Sequence, residues 1–110
     1  EIQQPISLKL EKISKKETKN DNCIYVDKDL LKFPLSVRKW ENGDYFYPSG
    51  MRGKKKLSKY FKDEKLSILD KEKTWLLCNS NNDIIWVVGK RQDNRYIATK
   101  TTTNILKITL

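Results

Sequence analysis

The 110 residues contain no histidine. That removes Ser-His-Asp and Cys-His nucleophilic catalysis, and every zinc site that uses an imidazole. Cysteine is nearly as scarce. Cys23 and Cys78 lie far apart in the chain, and neither belongs to a CxxC pair of the kind that holds structural zinc or supports thioredoxin-type chemistry. They could form one disulfide, or remain two buried thiols, the form expected of a cytosolic chain. No apolar run approaches the ~18 residues of a membrane-spanning helix, and no secretory leader opens the chain. A start at Glu1 rather than Met suggests a piece cut from a longer protein. Apolar residues make up 37%, below the usual ~45–50%. One small core in one domain is the expectation, with three Trp, five Tyr and three Phe carrying much of it.

Positive charge is what the chain has in excess. Lys and Arg total 23 against 14 Asp and Glu, a net charge of +9. Such a surplus points to a polyanionic partner, either nucleic acid or an anionic membrane surface. The charge is concentrated. Arg52, Lys54, Lys55, Lys56, Lys59 and Lys62 follow one another with no acid between them.

Hydropathy patterning predicts many short strands. Ile6, Leu8 and Leu10 alternate with polar residues as in a half-buried strand. Residues 14–22 are charged and aperiodic and read as a linker, so residues 1–20 form a lead-in strand and linker and residues 21–110 the domain. Residues 23–26 read as a buried strand. Asp27 is placed to cap one helical turn over residues 28–31, ahead of Pro34. Residues 35–40 alternate again. Asn42 and Gly43 then give a hairpin signal, with residues 44–47 returning as the partner strand. Pro48, Ser49 and Gly50 read as a type I turn with proline at its second position. Leu57, Tyr60 and Phe61 have helical spacing, so residues 55–63 read as a short amphipathic helix. Residues 75–78 and 84–88 are strands joined by a five-residue loop. Residues 96–99 and 105–110 read as two more, the last with Leu106, Ile108 and Leu110 on one face.

The basic segment is the sharpest candidate site. Two glycines let the backbone approach a ligand closely, and a loop feeding a helix N-terminus presents free N–H groups to phosphate. The competing explanation is a solvated helix face. Arg38, Arg91 and Arg95 suit phosphates or base edges equally well, or ion pairs with Asp44, Asp83 or Asp93. Trp40, Tyr45, Phe46 and Tyr47 either stack on bases or hold the sheet together. Trp75 and Trp86 read as core. Catalytic readings fail. Asp63 and Glu64 are adjacent and do not face each other on a helix. Gly89 and Lys90 lack the upstream glycine of a P-loop. The Gly50-x-x-Gly53 spacing lacks the two helices of a KH domain.

The run at 34–61, PLSVRKWENGDYFYPSGMRGKKKLSKYF, resembles the C-terminal domain of bacterial tRNA(Ile)-lysidine synthases. That family shows an arginine–tryptophan strand, Gly-Asp, a Pro-x-Gly-Met turn and Gly-x-Lys-Lys-Leu-Ser. Further matches are DEK at 63–65, IWVVGKR at 85–91 and the threonine tract at 101–103. The resemblance covers roughly residues 23–110. It implies a mainly β (α+β) fold: a small β-sandwich-like domain of short strands with one or two short flanking helices, related to a domain of the phenylalanyl-tRNA synthetase β subunit. It implies a cytoplasmic domain that docks the acceptor stem of a minor isoleucine tRNA. An N-terminal PP-loop domain, absent here, would use ATP and magnesium to join lysine to the wobble cytidine, with no cofactor in this domain. RNA-binding roles carry over best to Lys54, Lys55, Lys56 and Ser58, and further to Arg52, Lys59, Arg38 and Arg91. Many members have arginine where this chain has Tyr45, so that position leaves the set. The rival expectation is a non-catalytic interdomain or dimerisation module with a solvated basic face, and a homodimer stays open.

Overall fold

The computed structural model describes residues 5–15 and 22–110. It contains eight short strands, β1 (Lys9–Ile13), β2 (Cys23–Asp27), β3 (Ser36–Lys39), β4 (Tyr45–Phe46), β5 (Lys55–Lys56), β6 (Trp75–Cys78), β7 (Ile84–Val87) and β8 (Ile105–Thr109). Two helices lie between β5 and β6: α1 (Leu57–Asp63) and α2 (Ile68–Lys73). One antiparallel sheet has the order β1-β8-β2, a second β3-β6-β7, and β4 pairs with β5 alone. The mainly β fold with short flanking helices expected from the sequence is the fold observed.

Burial explains the layering. Strand β2 alternates, with Ile24 and Val26 facing the central core and Cys23 and Tyr25 facing away. In β8, Leu106 and Ile108 face the same core. Opposite them stand Leu77, Ile85 and Trp86 of the second sheet. The other face of that sheet is covered too: Leu76, Cys78, Ile84 and Val87 pack beneath Phe46 of β4 and Leu57, Tyr60 and Phe61 of α1. Strands β6 and β7 are thus covered on both faces, which is why they read as unbroken apolar runs rather than alternations. The order of layers is β1-β8-β2, then β3-β6-β7, then α1 with β4.

The expected lead-in strand lies three residues later than the alternation suggested, and all five residues of β1 pair with β8. Leu8, just before it, is fully buried in the central core. The linker reading at 16–21 lies outside the described residues. The capped turn forms as a 3-10 turn at Lys28–Leu30, where Asp27 accepts a hydrogen bond from the Asp29 amide at 3.1 Å.

Several expectations are corrected. No hairpin forms at Asn42 and Gly43: β3 pairs with β6, and β4 pairs with β5. The Asp44 amide donates to the Glu41 carbonyl at 3.1 Å, but only Gly43 takes a positive φ, of 95°. A type I′ hairpin turn needs positive φ at both central residues and a type II′ turn at the first; positive φ at the second alone makes the turn type II, and the flanking strands diverge. The next turn spans Pro48 to Met51, so proline is its first residue, and Gly50 at φ 79° makes it type II as well. Residues 96–99 form no strand; a 3-10 turn at Asn94–Tyr96 precedes a single bridge from Ile97 to Val26. Trp86 is core, but Trp75 is only half-buried, with the Lys39 ammonium 3.9 Å from its ring centre. Leu110 is exposed. Helix α2 has a cue the pattern reading passed over: Ser67 and Asp70 form a reciprocal capping box. Cys23 and Cys78 are both free thiols, buried in different clusters on opposite sides of the fold.

Candidate nucleic-acid interface

The basic segment enters the fold as strand before it becomes helix. Lys55 and Lys56 form β5, and α1 begins only at Leu57. Cross-strand partners point to the same side of a ladder. Phe46, fully buried, is opposite Lys55; Tyr45, exposed, is opposite Lys56. The pairing therefore turns Lys55 inward and Lys56 outward, and Lys54 shares the outward side by the two-residue period.

This geometry divides the six cations. Lys55 is ion-paired with Asp63, and Lys59 meets the same carboxylate at 3.1 Å. Hydrogen bonds from Lys55 and then Lys59 hold the Asp63 carboxyl below its ordinary range. The sequence showed no acid within the basic run, but the helix brings Asp63 back onto it. Arg52, Lys56 and Lys62 are exposed and have no acidic partner among the described residues; Lys54, also exposed, lies 4.7 Å from the Tyr45 ring centre. Ser58, Lys59 and Lys62 share the solvent side of α1, since Leu57, Tyr60 and Phe61 occupy the other.

The helix end contributes less than the spacing suggested. With seven residues, α1 has about two turns. Its first amide, Leu57, already donates to the Asp44 carbonyl at 2.9 Å. The long side chains, rather than the helix terminus, carry the attraction for an anion.

The arginines are engaged within the domain. Arg38 grips Asp44 with two hydrogen bonds, Nη1 to Oδ2 at 2.8 Å and Nη2 to Oδ1 at 3.0 Å, and donates from Nε to Asn82 at 3.1 Å. Burial opposes ionisation of Asp44, but hydrogen bonds from Arg38 and the Glu41 amide, with the arginine charge, hold its carboxyl below the usual range. Arg91 donates to the Ser49 carbonyl at 2.9 Å, tying the 48–51 turn to the end of β7. Arg95 is bound by the buried Asp93, which also accepts from the Tyr47 amide at 2.9 Å. Sequence reasoning left these arginines open between phosphate contact and internal pairing. The geometry brings Arg38 to Asp44 and Arg95 to Asp93 and Asp83.

The aromatics divide as well. Phe46 and Tyr60 meet edge to face at 5.2 Å, and Trp40 and Phe61 at 5.3 Å, inside the α1 layer. Tyr45 stays outside, 43% exposed, and meets Tyr47 edge to face at 6.2 Å. Beside it opens a cleft of about 220 Å³ lined in part by Asn81, Asn82, Asp83 and Arg95. Sequence reasoning missed this cleft; residues 45 to 47 are all aromatic, so no polar–apolar alternation marks Tyr45 as the outward ring. Among the described residues no group of His, Cys, Asp and Glu could hold a metal ion, and no helix is long and apolar enough to cross a membrane.

Residues 35–108 match the family model described as the TilS substrate C-terminal domain. The chain is 52% identical over 88 residues to a tRNA(Ile)-lysidine synthase of Parabacteroides distasonis, covering 80% of this chain and 20% of the relative. It is 45% identical over 80 residues to the enzyme of the same name from Bacteroides thetaiotaomicron, covering 73% and 18%. The chain thus spans about a fifth of the length of these relatives. A crystal structure of a TilS C-terminal domain shares the fold, with a TM-score of 0.79 at 20% identity over 93% of this chain and 80% of that one. An N-terminal fragment of the phenylalanyl-tRNA synthetase β subunit from Pyrococcus horikoshii follows at 0.65 and 20%, over 78% and 26%.

Proposed function

The chain belongs to the TilS substrate C-terminal domain family, and on that basis we propose that it docks tRNA for a lysidine synthase, gripping the acceptor stem of a minor isoleucine tRNA. The observation that carries the reading is a set of exposed cations without acidic partners among the described residues: Lys54 and Lys56 on the outer side of a ladder that turns Lys55 inward, Arg52 in the loop before it and Lys62 on the solvent side of α1. Lys59 and Ser58 join the set on α1. A-form major grooves are too deep and narrow for side chains to read, so these cations meet phosphates along the stem. Arg38, Lys55 and Arg91 serve instead to hold the set in place. In this reading, ATP, magnesium and lysine transfer belong to an N-terminal PP-loop domain of the same protein, and this domain holds tRNA without catalysing the reaction.

The test is charge reversal at Arg52, Lys54 and Lys56 together, all to Glu. Affinity for an acceptor-stem hairpin should fall by tenfold or more, with the circular dichroism spectrum unchanged, because exposed side chains carry little of the fold's stability. Unchanged affinity would overturn the proposal. A second reading, docking against another protein domain, is favoured by one feature: Ile68 and Leu69 on α2 are 74% and 58% exposed. Phe46 is buried and Trp40 half-buried, so neither enlarges that apolar surface.

A further inference from the structure

The geometry points to a stacking site for one unpaired nucleobase on Tyr45, beside Lys54 and Lys56; this inference rests on the RNA-docking reading and deepens it. Tyr45 is 43% exposed while its neighbour Phe46 is fully buried. Tyr47 and Tyr45 meet edge to face, with ring centres 6.2 Å apart and an interplanar angle of 74°. Tyr47 in turn lies under the Arg95 guanidinium, 4.3 Å from its ring centre, and Arg95 is fixed by both oxygens of the buried Asp93. The Lys54 ammonium lies 4.7 Å from the Tyr45 ring centre, on a long exposed side chain. An exposed cation–π contact is weaker than a base–aromatic stack. A base can take the place over the ring while the ammonium moves to the adjoining phosphate.

The neighbouring cleft suits a flat polar ring. Its volume of about 220 Å³ is below the ~300 Å³ of ordinary ligand pockets, enough for a base but not for a stem. Its carboxylates are already matched: Asp44 is gripped by Arg38, and Asp83 accepts from the Tyr96 hydroxyl at 2.7 Å and pairs with Arg95 at 3.4 Å. The wall therefore does not repel a nucleotide as an unpaired acid would. The Asn82 side-chain amide supplies a group of the kind that hydrogen-bonds base edges. A base inside a duplex has no free face to offer. The occupant is thus a nucleotide of a single-stranded extension next to the stem held by Lys54 and Lys56.

The 110-residue chain is titrated with two RNA hairpins of identical stem, one blunt and one carrying a short 3′ single-stranded extension. The extension should tighten binding about tenfold. Tyr45→Ala should reduce that gain to less than about twofold and leave blunt-stem affinity unchanged, and Tyr45→Phe should keep the gain. A blunt stem that binds, with no gain from the extension or a gain that survives Tyr45→Ala, overturns the stacking site and leaves the stem-docking reading intact. Failure to bind either hairpin overturns both.

Discussion

Arg38 and Asp44 meet through two short hydrogen bonds, with side chains only 20% and 15% exposed. The carboxylate also accepts from the Glu41 amide at 2.7 Å, so one group closes the turn and fixes the arginine. Replacing Asp44 by Asn leaves a partly buried guanidinium with one poor acceptor, and should cost about 1–3 kcal/mol in denaturant unfolding. Its pH dependence has a definite sign. The folded carboxyl is held below its ordinary value. Its contribution is therefore fully present above the unfolded carboxylate range and is lost as pH falls through the lower folded value. Melting temperatures of the parent and Asp44→Asn should differ most near neutrality and converge in acid; a constant difference down to about pH 2 would contradict this. The sequence displayed Arg38 and its candidate partners Asp44, Asp83 and Asp93, but not which one it would reach. Choosing Asp44 required the type II turn at Gly43, and a dipeptide signal does not separate that turn from a hairpin.

At the scale of elements, the junction of β5 and α1 decides which lysines are free. Helical spacing located Leu57, Tyr60 and Phe61 correctly but extended the helix backward over Lys55 and Lys56, because charged residues fit either state. Only pairing with β4 resolves them, and that ladder is two residues long. The same junction folds Asp63 onto Lys55 and Lys59. Asp63→Asn should release Lys59 toward RNA and steepen the salt dependence of binding by about one phosphate contact. A shallower dependence in Asp63→Asn would mean that Asp63 orients the lysines rather than restraining them. The strands β6 and β7 were legible because two-sided burial leaves an apolar run. Residues 96–99 were misread because Tyr96 and Ala98 are buried by packing and by hydrogen bonds outside any ladder, Tyr96 to Asp83 and the Ala98 amide to the Tyr25 carbonyl.

At the scale of the whole molecule, the net charge of +9 and the run at 34–61 carried most of what could be read in advance. Both are properties of the linear chain. The three-layer stacking arises from pairings across long stretches of chain, and the inward turn of Lys55 from a two-residue ladder with β4; local patterns encode neither. The outward face of Tyr45 was lost for a related reason: set aside as a phosphate contact because it is not arginine, it stands instead as an exposed ring beside a polar cleft. The central claim is that four exposed cations, Arg52, Lys54, Lys56 and Lys62, form an electrostatic grip on a tRNA stem. The most direct measurement is the affinity for a blunt acceptor-stem hairpin across a salt series. Four phosphate contacts predict a log–log slope of about −3 to −4, falling by about one for each of these residues changed to Gln. A slope near zero, or a steep slope unaltered by those changes, would contradict the account.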